Sequence, residues 1–324
     1  MPLFLVMVIA TFCWPSLTSA ALIPPFFLDN VVALGNEALR QSDPNQPPKL
    51  EWVTVGTGFF YGYLAKDDPE AANRQYQIFL VTAKHVVEEY LKTQRENPQL
   101  ADIKVRVNPK NSSSVAQEFP LPSRPGQNEA TWFFHPNPSI DIAVLQVDFS
   151  FLRSKGIEPG AFRNDQDVAR RSKMKELSVS PGDGVFVLGF PMNIAVRQRN
   201  YVIARQGCVA RIGEMIDGAS PSFLLDSFVF PGNSGGPVVL KPEFLSIQGT
   251  KAVSQAYFIG VVTSYQTYQE AAVSPQTKRT RVIFEENSGL AEVLPPDYIE
   301  ETIKAWQASL PSQSVPTSPA PAKQ

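Results

Sequence analysis

Two successive series of short apolar runs, each broken by turn residues, constrain this chain more than any other feature. Between 50 and 150 the runs are Val53–Tyr63, Gln75–Ala83, Ile103–Val107, Ala116–Leu121, Thr131–Phe134 and Asp141–Val147. Between 183 and 290 they are Gly184–Phe190, Tyr201–Ile212, Ser222–Phe230, Pro237–Leu240, Tyr257–Ser264 and Thr280–Phe284. Short runs with turn signals between them read as strands. Six followed by six predicts an all-β fold of two six-stranded antiparallel β-barrels, about 50–150 and about 183–290. The connection, 149–182, reads as helix or coil, and its Arg170, Arg171, Lys173 and Lys175 read as a solvated basic face. Over 296–310 a closing helix is predicted, with Ile299, Ile303, Trp306 and Leu310 on one face and a capping pattern from Asp297 and Glu300. Ahead of the barrels, 21–49 is a lead-in. Phe26, Phe27, Val31, Leu34 and Leu39 there fit an apolar helix face, and 42–48 is a Pro-rich linker.

Chemistry concentrates in Phe230-Pro231-Gly232-Asn233-Ser234-Gly235-Gly236-Pro237. A serine hydroxyl becomes a nucleophile when a base takes its proton. Glycines around it permit a tight turn and close substrate approach, and aim the amides of Gly232 and Ser234 at one point, where a carbonyl oxygen gains charge during acyl transfer. An ordinary Gly-rich turn would look the same in isolation. The chain holds two histidines. His85 ends one apolar run and opens a helix-like segment, which sets it at a cleft edge. His135, beside Pro136, reads as a loop residue. Asp141 enters an apolar strand, and a carboxylate there needs a strong partner. A histidine N–H is one, because the carboxylate fixes the ring tautomer and stabilises the imidazolium.

His85, Asp141 and Ser234 occur in the chain order used by chymotrypsin-fold serine proteases, unlike the orders of subtilisins or α/β-hydrolases. Their contexts, T-A-K-H-V-V, D-I-A-V-L and G-N-S-G-G-P, resemble the motifs of that superfamily over roughly residues 50 to 295. The resemblance is closest to bacterial trypsin-like peptidases, the periplasmic Deg-type proteases among them. Asp226, Pro231-Gly232-Asn233 and Val187-Leu188-Gly189-Phe190-Pro191 match that group, while Phe230 and Lys84 depart from it. The resemblance implies a chymotrypsin-like double barrel, with His85, Asp141 and Ser234 catalytic and Gly232 and Ser234 forming the oxyanion hole. It places Phe228, six before the nucleophile, and Thr263-Ser264, at the end of a later strand, against the substrate. An apolar ring at Phe228 and no histidine in the second barrel imply an apolar P1 preference. Asn233 stands where animal zymogens carry the aspartate that pairs with a new N-terminus, so no such activation is expected. The different-class alternative is a catalytically silent trypsin-like binding module.

The remaining composition bounds partners and compartment. A formal net charge of −2 argues against nucleic acid as the main partner, leaving polypeptide substrates. Residues 1–20 hold an apolar run too short to span a bilayer, ending in Thr18-Ser19-Ala20, which reads as a secretory signal peptide. A secreted or periplasmic protein without stable membrane insertion is expected. Of the two cysteines, Cys13 lies in this leader and Cys208 stands alone in the mature chain, which excludes an intramolecular disulfide. So few histidines and cysteines suggest no metal cluster, and no cofactor is expected. The Pro-, Ser- and Ala-rich segment 311–324 reads as a disordered tail, leaving no length for a downstream peptide-binding domain.

Overall fold

The computed structural model describes residues 22–41, 45–97, 102–111, 114–122, 131–194, 198–243 and 252–310. The signal peptide read over 1–20 and the tail read over 311–324 lie outside these residues, as does 42–44 of the linker.

Strands dominate. The first half builds one sheet from β1 (Val31–Arg40), β2 (Lys49–Lys66), β3 (Gln75–Thr82), β4 (Lys104–Val107), β5 (Gln117–Pro120), β6 (Phe133–Phe134), β7 (Ala143–Gln146) and β8 (Phe162–Arg163). Its order is β5-β4-β1-β2-β3-β7-β6, with β8 pairing in parallel with β2. The second half closes into an antiparallel barrel of β9 (Gly184–Gly189), β10 (Ile203–Arg211), β11 (Phe223–Asp226), β12 (Pro237–Leu240), β13 (Tyr257–Val273) and β14 (Thr280–Leu294), ordered β10-β11-β14-β13-β12-β9. Short helices α1 (Pro25–Asp29), α2 (Lys84–Glu96), α3 (Phe149–Ser154), α4 (Arg171–Glu176) and α5 (Gly213–Ile216) lie between strands, and α6 (Asp297–Ser309) closes the chain. This is the all-β double-barrel architecture with a C-terminal helix that the run pattern predicts.

Four local expectations are corrected. Residues 31–40 are not a helix face but β1, held between β2 and β4. Apolar residues three and four apart do not by themselves settle the element, and here Val31 and Val32 favour a strand while Gly35 and Asn36 weigh against a helix. Its first six residues are buried, which gives the first sheet a strand beyond the six predicted, and β8 adds another. The Asp297–Glu300 capping pattern does not form. Pro296 is the N-cap without a side-chain bond. Asp297 instead accepts the Arg171 amide at 2.8 Å. Glu300, nearly buried, accepts from Arg170 Nε at 2.5 Å and from the Tyr61 hydroxyl at 3.0 Å. Arg170 is therefore a clamp between connection and closing helix rather than part of a solvated face. Leu310 lies past the helix end and is exposed, while Ile299 and Ile303 are buried and Trp306 meets the edge of Phe79 at 5.2 Å.

The core runs across the junction of the two sheets. Phe59, Phe79 and Phe162 of the first sheet pack with Leu188, Phe258 and Val261 of the barrel and with Ile299 and Ile303 of α6. Phe258 lies 5.0 Å from both the Phe59 and Phe162 rings. Burying each such ring contributes about 1.5–3 kcal/mol. This shared core fixes the seam along which the candidate site opens.

Candidate active site

Asp141 sits just before β7, and His85 is the second residue of α2. No residue of α2 caps its own N-terminus. Asp141 does so from outside: its Oδ1 accepts the His85 amide at 2.8 Å, one of the donors a helix start leaves unpaired. Its Oδ2 lies 2.6 Å from His85 Nδ1. An ionised carboxylate only accepts, so Nδ1 carries the proton and Nε2 presents a lone pair. Burial pushes the His85 pKa down, but the hydrogen bond and charge of Asp141, with the charges of Glu89 and Glu88, outweigh it and hold the ring above the ordinary histidine value.

Ser234 is presented by the barrel. Phe230-Pro231-Gly232-Asn233 forms a turn closed by Asn233 N–H to the Phe230 carbonyl at 2.9 Å. Proline second and a glycine third at φ 99° are the signature of type II. A Cβ on Gly232 would collide with the Phe190 carbonyl oxygen. Gly235, at φ 82°, has Thr57 O and Thr82 Oγ1 where a Cβ would go. Asn233 is buried and its Oδ1 accepts the Phe230 amide at 3.0 Å, bracing the turn from within. Among the described residues the Gly232 and Ser234 amides donate to no backbone carbonyl, so both remain available to a ligand.

Met192 holds this turn from the far side, and its neighbour Asn193 ties the same segment to β2. Met192 donates its amide to Pro231 O at 2.8 Å, and Asn193 Oδ1 accepts the Thr54 amide at 2.7 Å. Both residues have left-handed backbones, φ 55° and 51°, a costly pair outside glycine. Thr57 of β2, fully buried, makes four bonds. Its amide donates to Ser234 O at 2.9 Å and its hydroxyl donates to Gly232 O at 2.6 Å. The hydroxyl also accepts the Phe190 amide at 3.1 Å, and its carbonyl accepts from Thr82 Oγ1 at 2.8 Å. One residue of the first sheet thus grips the turn on both sides of the serine. Thr57, which lies between Gly56 and Gly58 in the run Val53–Tyr63, was passed over in the sequence. A hydroxyl inside a Gly-x-Gly of an apolar strand was the available signal.

His85, Gly232 and Ser234 line one cleft of about 580 Å³ between α2 and the barrel. No direct hydrogen bond joins the Ser234 hydroxyl to the ring; such contacts commonly tighten when substrate binds. Of the residues expected against the substrate, Thr263 and Ser264 line the cleft and Phe228 does not. The chain leaves β11 at Asp226 and Ser227 bonds Gly289 O, so Phe228 turns outward, half exposed, over Gly289 and stacked on Phe230. Val229 and Phe230 take its place in the lining. His135 is remote from this cleft. It is buried, with Nδ1 accepting the Asn137 amide and Nε2 3.3 Å from Glu301 of α6. Among the described residues no group of three or more His, Cys, Asp or Glu stands close enough to hold a metal ion. No described helix is long and apolar enough to cross a membrane.

No curated protein matches the chain in sequence. Residues 56–243, more than half of the chain, match the family described as the trypsin-like peptidase domain, and that span takes in His85, Asp141, Ser234 and the turn that carries it. The chain belongs to the trypsin-like peptidase family.

Proposed function

We propose that the chain is a serine endopeptidase that cleaves secreted or periplasmic polypeptides through an acyl-enzyme intermediate. The observation that carries this reading is the 2.6 Å His85–Asp141 contact in the cleft that Ser234 also lines, beside two amides free of backbone acceptors. Ser234 Oγ attacks the peptide carbonyl while His85 Nε2 takes its proton. The amides of Gly232 and Ser234 hold the oxyanion. His85 then protonates the leaving amine, and Asp141 stays ionised throughout. Water repeats the cycle on the ester and releases the acid. Val229 and Phe230, in place of Phe228, supply an apolar wall, and no cation or histidine of the barrel lines the cleft. An anionic P1 side chain would be buried there without a partner, and beside the apolar wall of Val229 and Phe230 small or medium apolar residues are preferred, Glu89 of α2 being the charged group in the lining. The Pro231-Gly232-Asn233 turn supports grouping the chain with the Deg-type proteases, and residues 1–20 are taken as its export signal.

The test is hydrolysis of an unfolded protein such as casein, with labelling by a fluorophosphonate. The expected result is labelling at Ser234, and Ser234→Ala folding as wild type with neither labelling nor hydrolysis. An unlabelled, inactive wild-type chain would mark a binding module instead, and wild-type turnover by the variant would overturn the role of Ser234.

A further inference from the structure

β13 runs far past the barrel. Its pairing with β12 ends at Val261, and among the described residues no strand lies beside its outer edge from Thr263 to Val273. On the inner edge it pairs with β14 as far as Val273 and Thr280. From Ser264 to Glu286 every side chain of this arm is exposed except the half-buried Ser274. An isolated two-stranded ribbon is marginally stable in water, and an unpaired edge is a template for another strand.

The two edges of the arm are not alike. The β14 side carries Arg281, Glu285 and Glu286 within seven residues, the kind of charge that guards an edge. From Thr263 to Val273 the β13 side carries Glu270 alone, among Tyr265, Tyr268 and Val273. The unguarded edge also begins inside the cleft, where Thr263, Ser264, Tyr265 and Thr267 share the lining with Ser234 and His85. It is therefore continuous with the place where a substrate chain must lie.

We propose that the β13 edge from Thr263 to Val273 is a docking track on which an extended polypeptide substrate adds as a third, antiparallel strand. This rests on the serine endopeptidase reading. β13 runs away from the cleft, so an antiparallel partner runs toward Ser234. The paired residues are those N-terminal to the scissile bond. At about 3.4 Å per residue the edge spans roughly 35 Å, enough for about ten substrate residues. Main-chain bonds make such pairing tolerant of sequence, and pockets for alternate side chains add preference. Register sets Tyr268, Glu270, Ala272, Val282, Phe284 and Glu286 on one face of the arm, where apolar side chains alternate with two carboxylates, which favours apolar or basic substrate side chains on that face. Few folded proteins leave a strand of this length free to run on into a cleft, so the track favours unfolded or loosely ordered chains.

The experiment uses two peptides with one scissile sequence, carrying about four or about eleven residues before the bond, a length set by the edge. They are compared on the wild-type chain and on a variant in which residues 270–284 are replaced by an Asn-Gly turn. The wild type is expected to favour the long peptide by about tenfold or more in kcat/KM, mainly through KM. The variant, which keeps the edge only as far as Gln269, should lose most of that preference, and N-methylation of alternate backbone amides in the long peptide should abolish the wild-type gain. Anisotropy of a labelled long product peptide, with the free carboxylate at its C-terminus, measures the track without catalysis. Arm-dependent binding without hydrolysis would keep the track and overturn the endopeptidase reading. Hydrolysis with no length dependence would keep that reading and overturn the track. Arm-dependent dimerisation in sedimentation with length-independent kinetics would likewise overturn it, since a second copy would then occupy the edge.

Discussion

At the scale of single residues, the proposed chemistry rests also on groups that would never meet the substrate. Thr57 is the sharpest case, because its hydroxyl fixes the direction of the Gly232 carbonyl and hence of the peptide plane next to it. Thr57→Val keeps the shape and the amide bond to Ser234 O but removes both hydroxyl bonds. A positioning role predicts a kcat lower by between about 10- and 100-fold with KM little changed, because the oxyanion amide is misplaced only against the transition state. Thr57→Ser should restore kcat. Equal kcat in wild type and Thr57→Val would reduce the residue to packing. His85 gives the second prediction. Its pKa in the fold lies above the ordinary histidine value because Asp141 bonds and faces it. Only the neutral ring is a base, so kcat/KM should fall as pH drops through a point above about 6.5. Folding raises this pKa, so the stability it contributes is complete below the unfolded value and is lost as pH rises through the folded one. NMR titration in a Ser234→Ala background should show the raised value in the parent. With Asp141→Asn it should drop, because burial then acts with the charge of Asp141 gone. An unchanged titration would remove Asp141 as the cause.

At the scale of elements, legibility followed burial. Short strands buried in the core were plain in the sequence as apolar runs between turn signals, and β3, β7, β9 and β12 lie within the runs read for them. Of the arm only Thr280–Phe284 was read as a strand; its β13 half beyond Ser264 was not, because pairing without burial leaves no alternation. Beyond Ser264 nothing in β13 distinguishes its faces. β1 failed for the opposite reason. Covered on both faces over its first half, it shows a block of apolar residues, which period alone cannot separate from a helix. The N-terminus of α6 misled because a D-x-x-E pattern records which residues are acidic, not where they point. Tyr61 and Arg170, far off in sequence, offered Glu300 a better partner than its own backbone. The same holds for α2, whose cap comes from Asp141, a long-range partner invisible to a local rule.

At the scale of the whole molecule, the site exists only because two halves are held in register. His85, at the start of α2, and Asp141, just before β7, belong to the first half and Ser234 to the second, so their chain order could be read but the cleft that His85 and Ser234 share could not. What joins them is the aromatic core at the seam, where Phe258 of the barrel touches Phe59 and Phe162 of the first sheet and α6 closes over the edge. Because this core is continuous across both halves, neither should unfold alone. Tryptophan emission reports the first sheet through Trp52 and the closing helix through Trp306. Far-ultraviolet dichroism reports all strands, and fluorophosphonate labelling reports the assembled cleft. In urea these three signals should change together. Phe258→Ala opens a cavity on the seam and should lower stability by about 3–5 kcal/mol, the usual cost of deleting a buried ring. It should displace all three midpoints by the same amount. If labelling were lost first while emission and dichroism held, the halves would be separating before they unfold, and the shared core would not be what keeps Ser234 against His85.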